Sequence, residues 1–384
     1  MYIYLLILAL AVVCSFFLMK DDTKSSLLLV LWFGVLALFV GFSDMLGGYD
    51  RYIYGELFDE VADVRLAGGD VKTAYIFELY ASEWGFSWLN VGISYITANR
   101  YIFILILTIL IYVLLFISFI RYVDNYPFAI MLFMGLIFFF TFTYLRQLLG
   151  VGIGWLSITY AYKRNLLKFL AVVLLATLIH NSGIILLPVY FLAKKQFSKT
   201  TVVWVMLFCL VIGVTGIPST LFDLYGSVSD MEGRGQKYAE NEAGFKVEYI
   251  LEAFFFLYFI LRNYEKIPNT PSKTVLLNMA LAFCAILLIF IKSLNGGRLG
   301  WYYLIGLIST LSLIVPNVKR ITPQYLALIV FSCFLYLRIL LFSWGPLGTL
   351  YPYKSFFTNG VREGDWVHDK WEYDLDYDID KFHR

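Results

Sequence analysis

The sequence predicts an all-α polytopic integral membrane protein, and three observations support that class. Hydrophobic residues make up 60% of the 384 residues and charged residues only 15%, far from the balance of a soluble domain. Apolar runs that can cross about 30 Å of hydrocarbon as helix follow one another along the chain. These runs are too long and too uniformly apolar for the alternating pattern of a barrel strand, so helices are the crossing elements.

Each sufficiently long apolar run defines one predicted span. The first run lacks a basic n-region and a small-residue cleavage site, so we expect a retained helix and not a cleaved signal peptide. About twelve transmembrane segments result, at residues 2 to 19, 27 to 46, 100 to 120, 127 to 145, 147 to 162, 166 to 180, 182 to 193, 201 to 217, 247 to 262, 274 to 292, 300 to 315 and 324 to 343.

Loop charge orients these spans, because short connections rich in Lys and Arg face the cytoplasm. Segment 44 to 99 carries nine acidic and three basic residues, and segment 218 to 247 carries five acidic and three basic, so both are predicted outside. An even number of crossings then places both termini outside. We expect one transmembrane domain over 1 to 343, with outer loops 44 to 99 and 218 to 247, and an acidic aromatic tail over 344 to 384.

One nearly continuous apolar run, residues 165 to 193, lies between two basic clusters. A single helix over this run would put Lys194 and every later loop on the wrong side. Two short helices that meet near His180, Asn181 and Ser182 restore the positive-inside pattern. Irregular backbone at membrane depth is buried in protein or lines a cavity, so this turn is a candidate wall of a site.

This topology places a set of polar and charged residues on the outer side. An ionisable group at the rim of an apolar run is costly to keep there and is a candidate functional residue. The set comprises Asp50, Arg51, Glu83, Arg146, Gln147, His180, Arg234 and Arg298.

Two carboxylates of segment 44 to 99 are candidates for a general base or a sugar-hydroxyl acceptor. Asp50 follows two glycines, and its alternative role is the N-cap of a helix on the membrane surface. Glu83 has the alternative role of a solvated loop charge. Tyr54 fits either a carbohydrate surface or the aromatic belt at the membrane interface.

Two arginines are candidates for binding phosphate. Arg146 opens an apolar span with three glycines that allow close helix approach. A guanidinium stays protonated and binds phosphate oxygens in bidentate fashion, whereas snorkelling to the headgroups is the alternative role. Arg298 follows two glycines and precedes a predicted helix beginning at Leu299, where unpaired amide groups favour anions.

His180 is the one histidine that precedes the tail, where His368 and His383 lie. A lone His on an apolar stretch is either a hydrogen-bonded packing residue or a general base, and its place at a helix break favours the base. No second His or Cys shares its turn, so no metal site is predicted.

The cysteines and the known short motifs add no further chemistry. The four cysteines fall inside predicted spans without a repeated spacing, so neither a disulfide framework nor a thiolate metal site is expected. No P-loop, dinucleotide fingerprint, serine elbow or zinc signature occurs. We therefore expect no cofactor and no nucleic-acid partner. The cysteines are Cys14, Cys209, Cys284 and Cys333.

In their order, these motifs resemble the EpsG family of Wzy-type exopolysaccharide and O-antigen polymerases. The resemblance covers most of residues 1 to 315. Many relatives have Pro where Trp84 stands, and the tail after 343 has no counterpart. The motifs are Asp50 with Tyr54, Glu83 with Gly85 and Phe86, Arg146 with Gln147, His180 with Asn181 and Ser182, and Arg298 with Tyr303.

The resemblance implies a GT-C-like architecture with an outward-facing site in the bacterial inner membrane. The substrates would be repeat units linked to undecaprenyl pyrophosphate, surrounded by bilayer lipids, with chain-length regulator and flippase proteins as further partners. It implies the following roles: His180 as the base with Glu83 or Asp50 as rivals, Arg146, Arg298 and Arg51 on the pyrophosphate, and Gln147, Tyr54, Asn181 and Tyr303 positioning the sugars.

Three other functions remain open at this stage. A flippase or exporter of lipid-linked oligosaccharide would also place charges in a cavity, but along a path open from both sides. A membrane acyltransferase would use one intramembrane His with a cytoplasmic acyl donor. A structural scaffold predicts that replacing Arg146 or His180 changes stability and not glycan length.

Overall fold

The computed structural model describes residues 1 to 17, 25 to 48, 50 to 218, 220, 245 to 293, 295 to 315, 321 to 344, 349 to 358 and 382. Arg234, the predicted outer loop around it and most of the tail lie outside the described residues. Within these ranges the regular secondary structure is helical, apart from one isolated antiparallel bridge between Ser43 and Ser355. The all-α class is therefore confirmed.

The α-helices are short for the most part, and 3-10 segments connect several of them. In chain order they are α1 (Tyr2–Phe17), α2 (Ser26–Gly41), α3 (Arg51–Leu66), α4 (Ile76–Leu79), α5 (Trp84–Ser94), α6 (Arg100–Tyr122), α7 (Tyr126–Leu136), α8 (Leu145–Leu156), α9 (Ile158–Tyr162), α10 (Leu166–Ile179), α11 (Val189–Leu192), α12 (Lys199–Thr215), α13 (Val247–Arg262), α14 (Pro271–Ile289), α15 (Leu304–Ile314) and α16 (Pro323–Arg338).

Three helices in the described ranges are long and apolar enough to cross a membrane. They are α6, α14 and α16, the last with the π-helical turn Ile339–Ser343 that extends it. Several others, including α1 and α12, are apolar but shorter than a full crossing. The transmembrane character is confirmed, and the number of about twelve crossings stays a prediction.

The chain folds into two compact units. The first comprises Met1–Arg121, Asn125–Gly152 and Asn317–Arg384, and the second comprises Tyr122–Asp124 and Ile153–Pro316.

The first unit is built around α7, whose residues are all buried. Helices α1, α2 and α16 pack against it. Two tyrosine hydroxyls of α16 tie that helix to α1: Tyr325 donates to the carbonyl of Ser15 at 2.7 Å and Tyr336 to that of Tyr4 at 2.9 Å. A helix that is apolar on every face is expected at such a central position.

The second unit has α14 at its centre, with α12, α13 and α15 packed around it. The side chain of Asn278 on α14 donates to the carbonyls of Leu192 and Lys195, at 2.6 and 2.7 Å. A buried amide that donates to two carbonyls at and just after the end of α11 fixes that end against α14.

Local sequence explains where the central helices begin. Asn125 accepts from the backbone N–H of Phe128 at 3.2 Å to cap α7, and a proline follows within the first turn. Thr270 before α14 and Thr322 before α16 repeat this cap-and-proline signal. A side-chain oxygen satisfies an orphan amide, and proline has no amide to leave unpaired there.

Several predicted span boundaries are wrong, including two next to candidate residues. The span at 127 to 145 ends as an α-helix at Leu136, and the 3-10 segment Phe138–Phe142 follows it. Gly135 lies one residue before the end of this helix, but apolar composition alone could not locate the change. The helix predicted to begin at Leu299 begins as an α-helix only at Leu304, because residues Gly296–Tyr303 form a 3-10 segment.

Candidate functional site

The first unit contains a buried ion pair between Arg146 and Glu83. The guanidinium of Arg146 donates from Nη1 to Oε2 of Glu83. Glu83 is 1% exposed and Arg146 is 4% exposed, so both charges are out of water. Each ion therefore depends on the other for compensation, since removing one partner of a buried pair costs about 3–5 kcal/mol.

Two aromatic rings complete the surroundings of Arg146. Its Cζ lies 3.7 Å from the ring centroid of Tyr80 and 6.0 Å from that of Phe86. The Phe86 ring in turn packs edge-on against Tyr80 and against Tyr54, with centroids 6.0 and 5.8 Å away. The cation thus lies on aromatic faces that attract its charge and fix its plane.

Tyr54 and Asp50 of α3 belong to the same cluster. The Tyr54 hydroxyl lies within hydrogen-bonding reach of Arg146. Burial raises the pKa of Tyr54 well above its ordinary value, and the nearby charge of Arg146 opposes that rise. Asp50 occupies the N-cap position of α3 without a side-chain capping hydrogen bond. The predicted capping position is therefore correct, whereas the predicted capping bond is not made.

One donor of Arg146 has no hydrogen-bond partner. Its Nε is buried and makes no hydrogen bond, although Nη1 is held by Glu83. An unsatisfied buried donor costs about 1–3 kcal/mol, and more when it is charged. A ligand oxygen that reached Nε would recover that energy, and a phosphate oxygen is the acceptor that a guanidinium prefers.

Local packing explains how Arg146 and Glu83 are positioned. Glu83 ends the 3-10 segment Ala81–Glu83 and directly precedes α5, while Arg146 is the second residue of α8. A Cβ added to Gly152 would lie 2.8 Å from the Cβ of Leu114, so α8 approaches α6 closely at a glycine. The predicted tight packing of the helix that carries Arg146 is confirmed.

Arg51 has partners that the sequence did not reveal. Its Nη2 donates to three carbonyls at the end of α2, those of Val40, Gly41 and Ser43, at 2.8, 3.0 and 3.0 Å. The side chain is 0% exposed, and burial lowers its pKa to about 10 while Asp44 opposes that change. A cation on the last carbonyls of a helix stabilises the helix end. Arg51 therefore holds α2 against the start of α3.

The first unit contains a second buried ion pair, which joins Arg100 and Asp59. Arg100, the first residue of α6, donates from Nε to Oδ2 of Asp59 on α3 at 2.7 Å. Next to it the rings of Phe58 and Phe103 stack with centroids 4.1 Å apart. The signal for Arg100 was present, because a charge that opens a long apolar run is costly and needs a partner. Nothing local identified Asp59, which is 41 residues away along the chain.

In the second unit, the predicted break at His180 is confirmed. Helix α10 ends at Ile179, His180 is extended with φ −151° and ψ 121°, and the 3-10 segment Asn181–Leu186 follows. A Cβ added to Gly183 would lie 2.8 Å from the backbone nitrogen of Thr177. The chain therefore folds back onto α10 at a position that only glycine fits.

The hydroxyl of Ser182 contacts the imidazole of His180. Its Nδ1 lies 2.6 Å from Oγ of Ser182 and accepts from the backbone N–H of Ser182 at 3.3 Å. Ser182 Oγ donates to the hydroxyl of Tyr302 at 3.2 Å. The carbonyl of Tyr302 accepts from Nε1 of Trp155 at 3.0 Å, which anchors the far end of this chain of polar groups.

The segment that contains Arg298 contacts the segment after His180. Besides the bond between Tyr302 and Ser182, the hydroxyl of Tyr303 donates to the carbonyl of Ile185. Arg298 is half-buried and donates to Oδ1 of Asn295, the residue before the 3-10 segment Gly296–Tyr303. The predicted placement of Arg298 before a helix N-terminus is wrong, because the residue lies inside the 3-10 segment.

The structure thus distributes the predicted site residues over both units. Asp50, Tyr54, Glu83 and Arg146 lie together in the first unit, with Gln147 buried beside Arg146 on α8. The second unit holds His180, Asn181, Arg298 and Tyr303. Among the residues that the structure describes, no group of three or more His, Cys, Asp or Glu side chains is arranged to hold a metal ion.

Apolar helices of membrane-spanning length and a buried arginine–carboxylate pair define a helical membrane protein with polar chemistry in its interior. The family model of the EpsG family matches residues 26–355, nearly the whole chain. The chain belongs to the EpsG family, a family of Wzy-like polysaccharide polymerases, and is a membrane protein of polysaccharide biosynthesis. Neither the curated proteins nor the solved structures contain a match to it.

Proposed function

We propose that this protein joins repeat units carried on undecaprenyl pyrophosphate into a surface polysaccharide, at the outer leaflet of the bacterial cytoplasmic membrane. Membership of a polysaccharide polymerase family supports the reaction class. The observation that carries the substrate class is the buried Arg146, whose Nε has no hydrogen-bond partner while Glu83 and the Tyr80 ring hold the rest of the guanidinium.

The reaction breaks one bond and forms one. The bond between the anomeric carbon of the donor glycan and its pyrophosphate oxygen breaks, and the hydroxyl oxygen of the next repeat unit bonds to that carbon. The acceptor's proton passes to a base, and undecaprenyl pyrophosphate leaves with the negative charge. Cationic donors aimed at that charge lower the barrier because they act mainly in the transition state.

Arg146 is our proposed donor to the leaving pyrophosphate, with Arg298 as a second cation. Glu83 serves as the countercharge of Arg146. A proton taken up by Glu83 would strip a buried guanidinium of its partner, which is a poor property in a general base. We rank Arg51 below these two arginines, because its Nη2 donates to three backbone carbonyls, although its Nε and Nη1 are buried without a hydrogen-bond partner.

His180 is our proposed base for the acceptor hydroxyl, and Asp50 is the remaining rival. An imidazole exchanges protons near neutral pH, as base catalysis requires. The half-buried position of His180 at a backbone break gives its ring an environment unlike that of a residue within a helix. Gln147, Tyr54, Asn181 and Tyr303 are the proposed positioning groups for the sugars.

The alternatives differ from this proposal in what accumulates in the cell. If the protein were a flippase, an inactive variant would leave repeat units on the cytoplasmic side. If it were an acyltransferase, an inactive variant would leave chain length unchanged. If it is a polymerase, an inactive variant leaves single repeat units on the lipid carrier. We keep the twelve-span topology, with both termini outside and flippase and chain-length regulator proteins as neighbours, as part of the proposal.

Gel analysis of the surface polysaccharide in a deletion strain tests the proposed reaction. We expect the ladder of long chains to collapse to a single repeat unit, and a plasmid-borne copy to restore it. A ladder of normal length in the deletion strain would contradict polymerase activity.

Engineered cysteines at positions next to 146 and 180, probed with a membrane-impermeant thiol reagent, test the outer-leaflet placement. Labelling from the cell interior alone would contradict it.

A further inference from the structure

Helix α5 and its last turn carry an exposed face on the first unit that is rich in aromatic side chains. The large side chains of this face are between 43% and 74% exposed. The helical path continues past Ser94, because the N–H of Ile96 donates to the carbonyl of Ile93 at 2.8 Å. Residues three, four, seven or eight positions apart share one side of a helix. This aromatic face consists of Trp84, Trp88, Gly92, Tyr95 and Ile96.

The segment that bears the aromatic face exposes no charge. Residues 84 to 99 contain no Asp, Glu, Lys or Arg, although residues 50 to 80 carry acidic and basic side chains at short intervals. The charges that flank the segment, Glu83 and Arg100, are both buried in ion pairs. Exposed apolar surface without charge marks a site of contact with a membrane or another molecule.

The polar side chains of α5 lie on its other side, within the protein. Asn90 and Ser94 are buried and donate to the carbonyls of Phe86 and Val91, at 2.8 and 2.7 Å. A sugar site places hydrogen-bonding side chains beside its aromatic rings, because the hydroxyls of the sugar need partners. The aromatic face therefore fits the boundary of a bilayer better than it fits a glycan.

The chain also places the aromatic face next to a surface that faces lipid. Ile96 is four residues before Arg100, the first residue of α6, so the two are at most about 14 Å apart. Helix α6 is long and apolar enough to cross a membrane, and it exposes Ile102 and Val113 on one side. Trp and Tyr concentrate at the headgroup level, where a crossing helix ends. The aromatic face thus continues the lipid-facing surface of α6.

We propose that α5 is an interfacial helix whose aromatic face inserts among lipid headgroups and so holds the Arg146–Glu83 pair near the membrane surface. Glu83 directly precedes Trp84, so the depth of the helix sets the depth of the pair. The guanidinium of Arg65 lies 5.3 Å from the ring centroid of Tyr95 and adds a cation at the lipid phosphates. The link to catalysis rests on the proposed function, since the pyrophosphate of a lipid carrier lies at this level.

A nitroxide at position 92 measures the depth of the aromatic face. Gly92→Cys suits the label, because a Cβ there meets nothing within 4 Å. The full-length protein, with its four native cysteines replaced by alanine, is reconstituted in vesicles of phosphatidylglycerol and phosphatidylethanolamine. Two single-cysteine controls bracket the label: Lys72→Cys at an exposed position of the same segment, and Val113→Cys on the lipid-facing side of α6.

The accessibility of the label to two reagents gives the result. We expect the label at 92 to meet oxygen more often, and a water-soluble nickel chelate less often, than the label at 72. It should lie shallower than the label at 113. Access to the nickel chelate equal to that at 72 would overturn the inference. So would shielding from both reagents, because a protein partner or a second copy of the chain would then cover the face.

Indole quenching tests the same face with the native cysteines in place. The double variant Trp84→Phe, Trp88→Phe keeps two apolar rings, and the emission that it loses relative to the parent belongs to these two indoles. We expect lipids brominated close to the headgroup to quench this difference, and aqueous iodide to leave it nearly unchanged. Quenching by iodide and not by the brominated lipids would contradict lipid contact.

Serine variants test the link between the helix and the site. Trp84→Ser with Trp88→Ser should move the label at 92 towards water and lower chain growth by up to ~100-fold, because a misplaced binding group slows a reaction strongly. Trp204→Ser removes an exposed indole from α12 and should change neither. Full chain growth with position 92 in water would reject the positioning of the pair. Long chains in a deletion strain would reject the polymerase and leave the measured depth of α5 as it is, so the two claims fail separately.

Discussion

Arg146 and Glu83, which are 63 residues apart in the chain, form a buried ion pair in the first unit. The Tyr80 ring covers the guanidinium at 3.7 Å. The pair affects both the stability of the protein and, in the proposed mechanism, chain growth. Different substitutions separate these two effects.

The structural consequence is that either charge alone is destabilising. We expect Glu83→Gln or Arg146→Met to lower stability by about 3–5 kcal/mol, because each leaves one buried charge without its partner. The double variant should recover most of that loss, since an apolar and a neutral side chain replace the pair. Thermal unfolding of the purified protein measures the difference, and a double variant as unstable as the worse single variant would contradict the pairing.

The pair between Arg100 and Asp59 provides a matched comparison. It is buried in the same unit, and neither of its residues has a part in the proposed mechanism. Single changes, Arg100→Met or Asp59→Asn, should again cost about 3–5 kcal/mol. The double variant should regain both stability and long-chain synthesis. Loss of chain growth in a well-folded double variant would show that this pair also takes part in the reaction.

Arg51 is expected to act on stability. Arg51→Met removes a charged donor from three carbonyls, and we expect a loss of about 1.5–3 kcal/mol or more. Chain growth per amount of folded protein should stay at the parent level. A well-folded Arg51→Met protein that makes only single repeat units would place Arg51 beside Arg146 as a pyrophosphate ligand.

Gly183 tests the geometry of the turn after His180. Gly183→Ala would bring a Cβ within 2.8 Å of the backbone of Thr177, and backbone atoms cannot move aside as a flexible side chain can. We expect reduced accumulation in membranes and loss of chain growth. Gly92→Ala is the control, because a Cβ there meets nothing within 4 Å and alanine favours the helix by about 0.5–1 kcal/mol. Equal tolerance of both changes would contradict the described turn.

The sequence predicted the features that depend on composition and local pattern. Apolar composition predicted the helical membrane class, loop charge predicted the break at His180, and glycine spacing predicted the close approach at Gly152. None of these signals depends on which distant residues a side chain contacts in the fold.

Features that depend on distant partners were not predictable from one sequence. The sequence did not show that Glu83, a candidate base, lies against Arg146, or that Arg51, a candidate phosphate ligand, donates to carbonyls at the end of α2. The bond from Ser182 to Tyr302 joins residues 120 positions apart. Such contacts follow from tertiary packing, which a local pattern does not encode.

We propose that Arg146 acts on the pyrophosphate and does more than pair with Glu83. The most direct test compares chain length made by two double variants that both remove a buried ion pair, Glu83→Gln with Arg146→Met and Asp59→Asn with Arg100→Met. Both proteins should insert and accumulate, because neither leaves a lone buried charge. We predict single repeat units on the lipid carrier for the first variant and long chains for the second. Long chains from the folded Glu83→Gln, Arg146→Met protein would contradict the account.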